Sequence, residues 1–169
     1  MAVSMGAQEA EALLARNEIP STDVVVACVN SPQSVTLSGK TERIDLLHGV
    51  LKEHGALCKK LPTGGKAYHS PSMKEVGSAY SEAILEAGNE GGAVRALAPA
   101  VDGERPVMVS SVSLQHLQPG DINGTYWQTN LESPVLFDPA MKELLGLKFG
   151  PEDRHVDCVI EIGVCFLLK

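Results

Sequence analysis

"DVVVACVNSPQSVTLSG", Asp23–Gly39, holds the pattern on which the fold turns. Two runs rich in β-branched residues, Asp23–Pro32 and Ser34–Gly39, flank a Pro-containing turn, which is the signature of a β-hairpin. Before it, Ala7–Arg16 (AQEAEALLAR) carries Ala10, Leu13 and Leu14 on one helical face, preceded by the short apolar stretch Ala2–Met5. After it, Ile44, Leu47, Val50 and Leu51 recur at helical spacing between Thr41 and His54, and Gly55 supplies the stop. Ala56–Leu61 (ALCKKL) reads as a last strand. The order is β-α-β-β-α-β, the split βαβ or ferredoxin-like pattern, in which two helices cover one face of a four-stranded sheet. Turn chemistry at Pro62–Gly65 (PTGG) closes the unit, so residues 1–63 are expected to form a small subdomain and residues 64–169 a second part.

The second part is read as pieces of an α/β layer. Met73, Val76, Tyr80, Ile84 and Ala87 trace one helical stripe, and GNEGG, Gly88–Gly92, is expected to end that helix. Pro106–Ser113 (PVMVSSVS) reads as a buried strand. Thr125–Gly146 reads as one or two helices interrupted by Pro134 and Pro139. Val156–Val164 reads as a strand buried on both faces, as in a parallel sheet. The fold class is therefore α/β, in its α+β form.

Composition narrows the function. The 169 residues are 44% hydrophobic and 21% charged, which suits one sizeable core or two small subdomains. No run approaches the roughly 18 apolar residues that span a bilayer, and no basic-then-apolar leader opens the sequence. A cytoplasmic protein without a membrane is expected. The formal net charge of -7, with no basic stripe, argues against nucleic acid as a partner. Cys28, Cys58, Cys158 and Cys165 form no CxxC pair, and Cys28 and Cys158 sit in apolar runs that suggest buried, reduced thiols. The spacing of His48, His54 and Cys58 fits no compact zinc pattern.

One histidine stands apart. In KAYHSPSM, Lys66–Met73, Ser70 or Ser72 can cap the following helix, Pro71 is pre-set for its first turn, and Glu75 completes a capping box from Ser72. His69 then lies at the head of the helix, where the positive dipole end favours a neutral ring able to take a proton from a hydroxyl. The plain alternative is a histidine that packs in a turn. No serine has glycine at both minus two and plus two, so no Gly-x-Ser-x-Gly elbow partners it, and GNEGG lacks the spacing of a phosphate-cradling loop.

Four ordered blocks supply a context. "ACVNSPQSVTLSG" (Ala27–Gly39), "AYHSPSM" (Ala67–Met73), "YWQTNLESPVLF" (Tyr126–Phe137) and "DCVIEIG" (Asp157–Gly163) resemble the acyltransferase domains of polyketide synthases. The resemblance is to the fungal iterative type, related to animal fatty acid synthase, and runs from about Met1 to Gly163. It implies a malonyl-CoA:acyl carrier protein transacylase, in which a ferredoxin-like subdomain is inserted into an α/β-hydrolase-like body. It also implies a Ser-His dyad, with His69 as the base and Lys66, Ala67 and Tyr68 in the motif tied to acyl-unit choice. Malonyl-CoA or a related acyl-CoA, an acyl carrier protein and neighbouring synthase domains are the implied partners. No cofactor of the chain's own is implied, because acyl-CoA is a substrate and the phosphopantetheine belongs to the carrier.

Departures accompany the matches. The family's GHSxG nucleophile and its carboxylate-pairing arginine would precede Met1. After Gly163 the family continues Pro-His, whereas this chain reads Val-Cys-Phe-Leu-Leu-Lys, so a domain truncated at both ends is expected. Lys66 and Ser72 each stand where a histidine is often found. Asn130 is read as holding local structure, and Tyr126 and Trp127 as packing in the core and between subdomains. The alternative function is a non-enzymatic module that docks a carrier protein or a neighbouring domain.

Overall fold

In a computed structural model the described residues are 1–91, 107–148 and 155–160. The elements are β1 (Ala2–Val3), α1 (Ala7–Arg16), β2 (Val24–Ser31), β3 (Ser34–Gly39), α2 (Thr41–Glu53) and β4 (Cys58–Lys59). They are followed by α3 (Lys74–Gly91), β5 (Met108–Val109), β6 (His116–Leu117), α4 (Gly124–Glu132) and α5 (Phe137–Gly146). Short 3-10 turns at Pro71–Met73 and Pro119–Asp121 lead into α3 and precede α4.

The hairpin around Pro32 forms as its pattern requires, with Ser31 opposite Ser34 and the ladder running back to Val24 opposite Gly39. Strands β1 to β4 form one antiparallel sheet in the order β2-β3-β1-β4. The hairpin strands are thus not joined to their sequence neighbours alone: β1 lies between β3 and β4. Along β3 the side chains alternate. Val35 and Leu37, both 0% exposed, enter the core, while Thr36 and Ser38 face a concave surface on the other side. Ala10, Leu13 and Leu14 of α1 and Leu47 and Leu51 of α2 close over the apolar face, together with Val3, Val24 and Ile19. Every buried member of this core cluster lies within residues 1–51.

Where β3 ends, the chain passes very close to its neighbour. A Cβ on Gly39 would lie 2.0 Å from the Asp23 carbonyl oxygen, so only glycine fits. The Asp23 carboxylate, 11% exposed, pairs with Lys40 at 2.5 Å and Arg43 at 3.2 Å, tying the start of α2 to the start of β2. The Lys40 hydrogen bond above all, with help from Arg43 and against the effect of burial, holds the Asp23 carboxyl below its ordinary range.

The rest of the chain leans on this unit through one segment. Val135, between α4 and α5, accepts from the Val29 N–H and donates to the Ala27 carbonyl, both at 2.8 Å, a parallel bridge on the outer edge of β2. The next residue, Leu136, donates to the Ser111 carbonyl at 2.6 Å. α3 and α4 pack closely because a glycine faces the partner on each. A Cβ on Gly124 would meet the Ser81 carbonyl at 2.8 Å, and Gly77 lies under Glu132.

Several expectations for this half need correction. The buried face of α3 is Gly77 and Ser81 with Ile84 half-buried, continuing from Met73 in the turn before it, whereas Val76 and Tyr80 are 47% and 40% exposed. The close crossing with α4 selects small residues over the apolar stripe. α3 also runs through Gly88 to Gly91, and Gly92 lies outside the described residues. Met108–Val109 is no buried parallel strand but half of a short antiparallel hairpin with His116–Leu117. The Ser110 hydroxyl accepts from the Val112 and Ser113 N–H groups (3.1 and 3.2 Å) and turns the chain immediately after Val109. Pro106 is outside the described residues. Pro134 separates α4 from α5, but Pro139 sits in the first turn of α5, where no intrahelical N–H is needed. Val156–Ile160 pairs with no described strand, and Ile160 is 78% exposed; residues 161–164 of that stretch lie outside the described set. Cys158 is exposed rather than buried, and Cys28 is half-buried. Cys165 is also outside the described residues.

Two outcomes are expected. Leu37→Ala removes a fully buried side chain from the centre of the sheet and should cost about 2–5 kcal/mol in urea unfolding. Because the Asp23 carboxyl is lowered in the folded chain, its ion pairs contribute in full above the ordinary carboxylate range, about pH 4, and are lost as pH falls through the lowered value. The Tm difference between wild type and Asp23→Asn should therefore be present at neutral pH and vanish in strong acid.

Candidate active site

The loop from Pro62 to Ser70 joins the four-stranded sheet to α3. Gly64 and Gly65 both have positive φ, 61° and 75°, so the PTGG turn uses the backbone freedom that only glycine supplies cheaply. Lys66 then donates its N–H to the Thr63 carbonyl at 3.2 Å. At the other end of the loop Ser70, 2% exposed, caps the 3-10 turn that begins at Pro71: its hydroxyl accepts from the Ser72 N–H at 3.3 Å. The same hydroxyl donates to the Ala67 carbonyl at 2.6 Å. Of the two serines offered by the sequence, Ser70 is the cap.

His69 stands between these anchors with φ of 58°, a left-handed conformation that costs a residue with a Cβ about 1–2 kcal/mol. The neighbouring helix holds it there. α4 ends at Glu132, and the carbonyls of a helix's last turn have no partner within the helix. His69 supplies two: its backbone N–H donates to the Leu131 carbonyl at 3.0 Å, and its ring Nδ1 lies 2.8 Å from the Asn130 carbonyl. A carbonyl only accepts, so Nδ1 carries the proton and Nε2 presents its lone pair. The sequence located His69 at the N-terminal end of one helix; the structure also sets it against the C-terminal end of another.

The concavity beside this ring has a volume of about 640 Å³ and is floored by the polar side of the sheet, including Cys28, Thr36 and Ser38, with Lys66, Tyr68 and His69 on its wall. Burial pushes the Cys28 thiol up, partly offset by its hydrogen bond to Thr36. Lys60 also lines the surface but is paired with Asp45 at 2.5 Å, whereas Lys66 makes no ion pair among the described residues. A second cleft, of about 850 Å³, lies across the same loop and shares Lys66 and Tyr68 with the first. Ala67 lines the second cleft only. The four residues singled out from sequence are thus contiguous in space as in sequence, with His69, Lys66 and Tyr68 on one surface and Ala67 turned to the other.

Asn130 was read as structural, and its backbone oxygen proves to be what orients the ring. Backbone groups carry no residue signature; the one available clue was Pro134, which forecasts a helix end nearby. Tyr126 and Trp127 are half-buried and packed edge to face at 5.2 Å, and the Tyr126 hydroxyl lies 3.2 Å from Ser110 Oγ. Tyr126 thereby joins α4 to the β5–β6 turn. Among the described residues no hydroxyl or thiol is hydrogen-bonded to Nε2 of His69, no group of three His, Cys, Asp or Glu side chains could hold a metal, and no helix is long and apolar enough to cross a membrane.

The sequence and the fold are similar to those of known proteins. A highly reducing polyketide synthase of Gibberella zeae is 36% identical over 163 residues, covering 96% of this chain and 6% of that protein. The chain therefore spans about 6% of the length of such relatives. Among solved structures, a loading acyltransferase from the avermectin modular polyketide synthase superposes with a TM-score of 0.66 at 26% identity, over 85% of this chain and 42% of that one. A malonyl CoA-acyl carrier protein transacylase from Burkholderia pseudomallei shares the fold, with a TM-score of 0.64 at 19% identity, over 85% of this chain and 44% of the other. A family model described as the acyl transferase domain matches residues 2–162. With nearly its whole length matched by that model, the chain belongs to the acyl transferase domain family.

Proposed function

We propose that this chain is the part of a polyketide synthase acyltransferase domain that supplies the general base for moving malonyl, or a related acyl unit, from coenzyme A to an acyl carrier protein. The observation that carries the reading is the orientation of His69: Nδ1–H bound to the Asn130 carbonyl, Nε2 unengaged among the described residues, and the ring on the wall of the concavity of about 640 Å³. In the reaction, Nε2 takes the proton of a serine hydroxyl as Oγ attacks the thioester carbonyl. The tetrahedral intermediate collapses, the carbon–sulfur bond breaks, and the departing thiolate recovers the proton from the imidazolium. In the second half the carrier's phosphopantetheine thiol gives its proton to Nε2 and attacks the serine ester, and the serine oxygen leaves with that proton. The serine is the one the family carries in its GHSxG elbow; no such elbow occurs in these 169 residues.

Lys66, Ala67 and Tyr68 form the acyl-selecting segment, with Lys66 and Tyr68 on the wall beside His69 and Ala67 turned to the second cleft. Lys66, without an ion pair among the described residues, supplies a cation that suits a free carboxylate on the acyl group, and Tyr68 narrows the space next to the base. The neighbouring synthase domains are further partners, and the site of action is the cytoplasm. Residues 1–63 are a ferredoxin-like small subdomain, and residues 64–169 belong to an α/β-hydrolase-like body. The βαββαβ order with strands arranged β2-β3-β1-β4, and a core drawn wholly from residues 1–51, support that division.

Intact mass after incubation with malonyl-CoA tests the reading. The 169-residue chain should acquire no stable malonyl adduct. The same chain joined to a GHSxG-bearing acyltransferase segment should acquire one and pass it to a carrier protein. His69→Ala in the joined protein should slow transfer by about 10²–10⁴-fold; unchanged transfer would remove His69 from the mechanism. For the domain division, residues 1–63 expressed alone should melt cooperatively, and a chain that shows no transition would place the boundary elsewhere.

A further inference from the structure

We propose that Ser70 is a positioning residue, whose buried hydroxyl holds the imidazole of His69 in the tautomer and orientation that expose Nε2. The proposal deepens the reading of His69 as the base and rests on it for its catalytic meaning, though not for its geometry. Three observations carry it. First, Ser70 is 2% exposed and its hydroxyl is used on both sides, donating to the Ala67 carbonyl at 2.6 Å and accepting from the Ser72 N–H at 3.3 Å. These bonds join the chain two residues before His69 to the chain three residues after it, so the histidine is the middle of a closed loop. Second, His69 occupies a left-handed conformation at φ 58°, which a residue with a Cβ keeps only where its surroundings fix it. Third, among the described residues the ring is anchored by one hydrogen bond, to the Asn130 carbonyl at 2.8 Å, and the backbone N–H reaches Leu131 at 3.0 Å. Both acceptors lie on α4, so the ring stays in register only if the loop cannot turn relative to α4. The Ser70 hydroxyl is the side-chain group that closes that loop.

Ser72 provides the contrast. It neighbours the same helix start and is exposed, and the bond to Ser70 uses its backbone N–H alone. Losing the Ser72 hydroxyl should leave the loop as it is. Losing the Ser70 hydroxyl leaves the Ala67 carbonyl and the Ser72 N–H without this partner and frees His69 to leave the left-handed region. The ring then loses Asn130, and the Nε2–H tautomer, no longer disfavoured by an acceptor at Nδ1, becomes populated.

The tautomer of His69 is read by long-range proton–nitrogen NMR correlations on the full chain with its rings neutral, independently of any transfer activity. Wild type and Ser72→Ala should show the Nδ1–H form. Ser70→Ala should raise the Nε2–H share by roughly threefold or more, with backbone amide shifts preserved outside the loop and the start of α3. Ser70→Thr, which keeps the hydroxyl, should restore the wild-type tautomer. An Nε2–H majority in the wild type, or a folded Ser70→Ala chain with an unchanged tautomer, overturns the proposal. If Ser70→Ala does not fold, Ser70→Cys, with a weaker donor in nearly the same volume, should shift the tautomer in the same direction, and its failure to do so is equally decisive. Retained transfer by His69→Ala would end the reading of His69 as the base and leave the tautomer result standing, so the two failures are distinguishable.

Discussion

Two carbonyl groups at the end of α4, those of Asn130 and Leu131, find their donors in a single residue, His69. A helix must satisfy its last carbonyls somewhere, and here the requirement is met by a backbone N–H and a ring N–H from a loop more than sixty residues earlier in the chain. One requirement thereby does two things: it ends a helix and it aims an imidazole. It also sets a demand on the loop, since both donors reach the helix end only if His69 takes up a positive φ. A carbonyl as the orienting group has a chemical merit as well. It accepts but never titrates, so the tautomer it selects does not depend on the charge of a second side chain.

Everything else in the described structure keeps the loop and the helix end in register. On the loop side the four-stranded sheet is stiffened by its own core and by the Asp23 pairs to Lys40 and Arg43 at the start of α2. On the helix side, the segment after α4 is stitched to the outer edge of β2 by Val135 and to the β5–β6 turn by Leu136. Ala27, Cys28 and Val29 are therefore where the two halves meet. The edge strand that could have paired with another chain is used instead to fix the distance between the sheet and α4. The close α3–α4 crossing, made possible by Gly77 and Gly124, brings the head of α3, and with it Ser70, beside the end of α4.

The polar side of the sheet floors the concavity because β3 alternates. Val35 and Leu37 stabilise the fold by burial, and Thr36 and Ser38, one residue out of phase, are left to face the concavity. A one-residue slip of the hairpin register would exchange the two sets, so the same constraint that stabilises the small unit also decides which groups the cavity offers.

Residue pattern alone determined the β-α-β-β-α-β order, the hairpin at Pro32, both helix faces of the first unit and the place of His69 just ahead of a capped helix. Each of these is written in local periodicity or turn chemistry, and in the two helices of residues 1–63 the apolar stripe agrees with the packing, as Leu13, Leu47 and Leu51 illustrate, although the last strand shortens to Cys58–Lys59 and leaves Leu57 exposed. Beyond residue 64 the pattern misled where a hydroxyl or a close backbone contact overrode hydrophobicity. Ser110 turned a presumed strand into a hairpin, and the crossing at Gly77 and Ser81 buried small residues while leaving Val76 and Tyr80 outside. What only the tertiary structure decided is the partner of His69. The acceptor is a backbone oxygen sixty-one positions away, and peptide carbonyls are alike at every residue, so nothing in the identity of Asn130 could mark it.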